Sequence, residues 1–119
     1  MLDALALLPG IDLQRALKMV RGKKAFYLSV LRQFADRRKL QLAELEAGLA
    51  ARDRESARRI SHTLKGSSGS LGLDRIFDAV AALNAALRQP DYDAGQVQAV
   101  FAEIRDAAHD LLSVLGERP

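Results

Sequence analysis

The chain has 119 residues, 49% of them apolar and 5% aromatic, with no Trp and no Cys. That length suits one domain with a single core, and the lack of Cys excludes a disulfide, a thiolate zinc site and a Cys nucleophile. A net charge of +3 favours acidic partners, and no apolar run approaches the ~20 residues of a membrane span.

The opening stretch to Leu8 is apolar but carries Asp3 and no early Lys or Arg, so it does not read as a signal peptide. Pro9-Gly10 breaks it. Asp12 can cap a short helix carrying Leu13, Ala16, Leu17 and Val20, which ends near Gly22. A long helix follows, from about Lys23 to about Ala51. Its stripe is Tyr27, Val30, Leu31, Phe34, Leu42, Leu45 and Leu49, interrupted by Arg38. Asp53 caps the next helix, and Gly72 fits a left-handed cap after its last apolar position, Leu71. The stripe resumes as Leu73, Ile76, Val80, Leu83 and Leu87, in heptad-like steps. Pro90 stops that helix. Asp93 and Gln96 read as a capping box, and the last helix uses Val97, Phe101, Ile104, Ala108, Leu111 and Leu115.

Four long amphipathic helices joined by short turns predict an all-α fold, an antiparallel up-down four-helix bundle with a short additional N-terminal helix over one end. Residues 1–119 read as a single domain, with its core from about 8 to about 115. Folding the long helix back near Arg52 brings Arg37, Arg38 and Gln41 about level with His62.

His62 stands on the outer side of the second long helical pattern, the one that Asp53 caps. At about 100° per residue, Ala57, Ile60, Leu64 and Leu71 cluster on one face and His62 points away from them. Arg58, Arg59, Lys65, Gly66 and Gly69 share its face. Glycine inside a helix costs roughly 1 kcal/mol relative to alanine. Gly66 and Gly69 stand at i+4 and i+7 from His62, where the wheel offers no core reason for a small residue. A missing side chain at i+4 opens the ring to a second protein. The plainer alternative is a Gly/Ser loop, against which stands the helical period running unbroken to Leu71. Taken singly, the three cations also read as ordinary solvated residues.

Other chemistries find less support. A second zinc ligand on a helix stands at i+3 or i+4, and here those positions are Lys65 and Gly66, so no metal site is expected. His109 borders the last stripe and reads as a boundary residue. Ser67, Ser68 and Ser70 lie near His62, but no acid is placed to orient the imidazole. No Walker loop or dinucleotide fingerprint appears. Tyr27 and Phe34 read as core. The basic run Arg37-Arg38-Lys39 lacks interleaved aromatics, which argues against nucleic acid.

The segment His62-Thr63-Leu64-Lys65-Gly66-Ser67-Ser68-Gly69-Ser70-Leu71-Gly72 resembles the signature of histidine-containing phosphotransfer (HPt) domains, roughly His-x-Leu-Lys-Gly-x-x-x-x-x-Gly. Leu8-Pro9-Gly10-Ile11-Asp12 resembles the lead-in of the HPt modules of bacterial hybrid sensor kinases. The likeness continues through Phe34 and the Leu42/Leu45/Leu49 run and spans about Leu8 to about Leu115. Leu73 stands where many members have Ala, and Arg37-Arg38-Lys39 is more basic than usual.

The resemblance implies a phosphorelay intermediate. His62 would accept a phosphoryl group from a receiver-domain aspartate, at the ring nitrogen distal to the backbone, and pass it to another receiver. An unperturbed imidazole is largely neutral at pH 7, so no base is needed. A phosphoryl group carries about two negative charges, which Lys65 would offset. Arg58 and Arg59 would add to the field, and Gly66 and Gly69 would clear the receiver's approach. The chain would be a carrier rather than an enzyme, with no cofactor of its own and Mg2+ on the partner receiver. Expected partners are receiver domains of a hybrid sensor kinase or a response regulator. No nucleic acid and no direct membrane contact are expected, for a cytoplasmic monomer or a cytoplasmic module of a membrane-bound kinase. Two rival readings stay open: an adaptor bundle that docks a signalling partner without phosphotransfer, and a basic nucleic-acid binder.

Overall fold

A computed structural model describes residues 2–116, apart from the side chains of residues 2, 3 and 38–40. Its helices are α1 (Leu2–Leu7), α2 (Leu13–Met19), α3 (Lys24–Ala50), α4 (Arg54–Ser70), α5 (Asp74–Leu87) and α6 (Ala94–Val114). Helix α3 packs on α4, α4 on α5, α5 on α6, and α6 closes the ring onto α3. Every apolar position expected on the last two stripes is buried, from Leu73 to Leu87 and from Val97 to Leu115. This is the all-α bundle that the helical periods require. Among the described residues there is no strand, only an isolated bridge between Ile11 and Leu73.

The turns fix the up-down order. At one end Arg54 donates to the Pro90 carbonyl at 2.7 Å, and Arg52 and Arg54 each stand 5.0 Å from the centroid of the Tyr92 ring. The α3–α4 and α5–α6 turns are thereby joined. The α4–α5 turn lies at the other end. There α4 closes in a Schellman motif, with Leu73 N–H donating to Ser68 O at 2.9 Å and Gly72 N–H to Gly69 O at 3.3 Å. Gly72 has φ +71, and a Cβ there would stand 2.5 Å from the Asp12 carbonyl oxygen, so the position requires glycine twice over.

The N-terminal segment is fastened to that turn. Asp12 N–H donates to Gly72 O at 2.8 Å, and Arg75 N–H donates to Gly10 O at 3.0 Å. The Arg15 guanidinium bridges Asp12 and Asp74. Asp12 also caps α2 as expected, accepting from Arg15 N–H at 3.0 Å. The break at Pro9-Gly10 is there, and the apolar stretch before it forms a helix, α1, that the sequence does not mark. A six-residue helix has too little period to read. It is held by Leu5, fully buried in the core.

Candidate functional site

Helix α4 is amphipathic as its period requires. Ala57 and Leu64 are fully buried, Leu71 nearly so, and His62 is exposed on the far side with Arg58, Arg59 and Gly66. Asp53 caps the helix, its carboxylate accepting from the N–H and the hydroxyl of Ser56. Those bonds hold the Asp53 carboxyl below its ordinary pKa.

Within this Gly/Ser-rich helix the hydroxyls turn inward onto carbonyls of their own backbone. Thr63 donates to Arg59 O, Ser68 to Leu64 O at 2.7 Å, and Ser70 to Gly66 O at 3.1 Å. The two buried serines each solve a packing problem. Ser68 is fully enclosed and satisfied by that bond. Ser61, one residue before His62, is also fully enclosed and lies 2.9 Å from Oδ1 of Asn84 on α5. The imidazole thus rides on a turn of α4 pinned to its neighbour by a buried polar contact.

His62, Lys65, Gly66 and Gly69 border one open depression, completed by Met19 of α2 and Phe77 of α5. The Lys65 ammonium stands 5.6 Å from the centroid of the Phe77 ring, a cation–π contact that holds it on this face. Met19 is 60% exposed, so an apolar side chain is offered beside the imidazole. Neither Met19 nor Phe77 was singled out in the sequence. Phe77 follows Ile76 and lies off the stripe of α5, and Met19 reaches the site only because its helix folds back onto Gly72.

The two glycines differ. A Cβ on Gly66 would meet nothing within 4 Å, so that position faces open space. A Cβ on Gly69 would stand 3.2 Å from two ring carbons of Phe77. The expectation that no packing calls for a small residue is therefore corrected at Gly69: the α4–α5 contact does.

Arg58 and Arg59 border a second groove with His62 and Lys65, on the α5 side. Arg37 and Gln41 border a third cleft, on the α3 side, with Thr63 and Ser67. They are level with His62, as the folded-back register requires. The side chain of Arg38 lies outside the described residues. Phe34 is buried at 6% exposure and Tyr27 at 1%, where Tyr27 donates its hydroxyl to the Leu71 carbonyl at 2.9 Å. His109 is exposed on α6. Among the described residues no group of three His, Cys, Asp or Glu side chains is placed to hold a metal ion. None of the described helices is long and apolar enough to cross a membrane.

The Hpt domain family model matches residues 29–113. The chain belongs to the Hpt domain family. No curated protein and no solved structure matches it significantly. An Hpt domain implies a histidine phosphotransfer role in a phosphorelay of two-component signalling, and its partners are receiver domains. Such domains carry phosphohistidine rather than act as enzymes in the ordinary sense. Helices α1 and α2, Met19 among them, precede the matched residues of this Hpt domain.

Proposed function

We propose that His62 is the phosphoacceptor, taking a phosphoryl group from an aspartate of one receiver domain and passing it to an aspartate of another. The partners would be receiver domains of a hybrid sensor kinase, of a response regulator, or of both. One observation carries the reading: within an Hpt domain, an exposed imidazole stands mid-helix with open space over Gly66, one turn further on.

The chemistry needs little from this chain. The lone pair of the distal ring nitrogen attacks phosphorus. An N–P bond forms, the acyl P–O bond breaks, and its electron pair leaves on the aspartate. The second transfer runs the same exchange in reverse, onto a new carboxylate. Lys65 offsets charge on the phosphoryl group. Gly66 and Gly69 keep the approach low, and Arg58 and Arg59 strengthen the positive field. Mg2+ belongs to the receiver. The chain acts as a single monomeric domain in the cytoplasm, docking transiently because a relay must release its partner.

The test is transfer from a phosphorylated receiver to the wild type and to His62→Gln. Label on the wild type alone supports the reading, and equal label on both chains overturns it.

A further inference from the structure

Charge is distributed unevenly around His62. A groove of about 770 Å³ runs along the α4–α5 face and includes His62 in its wall. Arg54, Arg58, Arg59 and Lys65 of α4 and Arg88, the residue just after α5, border it, against the single acid Glu55. That is an excess of four positive charges, compared with +3 for the whole chain, so the rest of the molecule is slightly acidic.

Folding accounts for only part of this. Arg54 ties the two turns together through Pro90 and Tyr92. Arg58, Arg59 and Arg88 are exposed and enter no ion pair among the described residues. Arg54 and Arg58 are like charges at i and i+4, which costs a helix a little stability. Their placement therefore points outward.

We infer that this groove is a recognition surface for an acidic segment of the receiver that docks on His62. The inference rests on the relay reading for the identity of the partner. Whatever brings an aspartyl phosphate to the imidazole also covers the neighbouring wall of the groove. From Arg54 to Lys65 α4 rises about 16 Å, the reach of about five extended residues. Carboxylates along such a segment meet Arg58 and Arg59 on one wall and Arg88 on the other. A nucleic acid fits less well, because no Phe, Tyr or Trp borders the groove and a base has no such ring there to stack on. Exposed charges of this kind steer encounter and choose among partners more than they tighten binding.

The variant to make is Arg58→Glu/Arg59→Glu/Arg88→Glu, with the matching Gln triple as a milder second form and helix content checked for both. The first probe is a peptide of about six alternating Asp, Glu and Gly residues, titrated while backbone amide shifts are followed. Shifts along α4 and at Arg88 are expected in the wild type, reduced in the Gln triple and lost in the Glu triple or above about 0.5 M salt. The second probe is a pair of phosphorylated receivers that label the wild type, one acidic and one neutral in the segment that faces the groove. The Glu triple is expected to accept about tenfold more slowly from the acidic receiver at low salt, and to be slowed clearly less with the neutral one, where only the field that Arg58 and Arg59 lend the phosphoryl group is lost. Absent peptide shifts, equal effects on both receivers, or tighter binding of single-stranded DNA of equal charge would overturn the inference. If no receiver labels the wild type, the relay reading fails instead, and the peptide titration alone decides the groove.

Discussion

The ring of Phe77 lies 3.2 Å from where a Cβ on Gly69 would stand. That closeness makes Gly69 a packing residue of the α4–α5 contact as well as a gap beside the site. Alanine at an ordinary helical glycine gains roughly 0.5–1 kcal/mol. At Gly69 the ring must shift to admit the methyl, and the gain is expected to vanish. Gly69→Ala should therefore be more favourable in a Phe77→Ala background than in the wild type. A double-mutant cycle by chemical denaturation measures this coupling, and strict additivity would show that the ring does not constrain Gly69.

Gly66 separates stability from function. Its Cβ direction is empty, so Gly66→Ala is expected to raise stability by about 0.5–1 kcal/mol. Gly66→Trp is expected to keep the fold and slow phosphotransfer by about a hundredfold, the cost of pushing reacting atoms out of line. Denaturation and transfer kinetics on the same samples check both halves. Unimpaired transfer by the Trp variant would remove the clearance role.

Much of this arrangement was legible in the sequence. The stripes of α5 and α6, the caps at Asp12, Asp53 and Asp93, and the left-handed position of Gly72 follow from local chemistry, and all are formed. The outward face of α4 follows from its period. Three things were not legible, each for a tertiary reason. Helix α1 forms through the burial of Leu5. Met19 arrives beside His62 through the backbone bonds that join Asp12 to Gly72 and Gly10 to Arg75, pairs sixty or more residues apart in the chain. Ser61 and Ser68 fall on the buried side of α4 by its period, but that Ser61 meets Asn84 of α5 at 2.9 Å depends on the α4–α5 packing. A wheel orders directions around one helix and says nothing of what the neighbouring helix supplies.

Lys65 stands beside Phe77 on the face that His62 shares. Reversing its charge replaces an attraction for the phosphoryl group with a repulsion. Lys65→Glu is expected to slow transfer by roughly tenfold or more, the scale of a lost charge-assisted bond, with little change in helix content. Rapid-quench kinetics on the folded variant measures it. An unchanged rate would take Lys65 out of the phosphoryl site.

Tyr27 gives the fold an alkaline limit. Burial pushes its phenol from the ordinary 10.0 to about 12. The folded state therefore keeps a proton that the unfolded chain releases near 10. This contribution is fully present below pH 10 and is lost as pH rises toward about 12. Denaturant midpoints are expected to fall over that window in the wild type and to fall less in Tyr27→Phe. The same variant leaves the Leu71 carbonyl without its donor, at a cost of about 1–2 kcal/mol at neutral pH. A pH series of unfolding curves on both proteins measures both effects.

The central claim is that one atom of His62 carries the phosphoryl group. The most direct measurement is 31P NMR and peptide mapping of the chain after incubation with a phosphorylated receiver and Mg2+. A single phosphoramidate, acid-labile and alkali-stable, is expected on the peptide containing His62, and it is expected to disappear on adding a second, unphosphorylated receiver. A phosphate found on His109 or on a serine of α4, or a wild type that docks receivers and takes no phosphate, would contradict the claim.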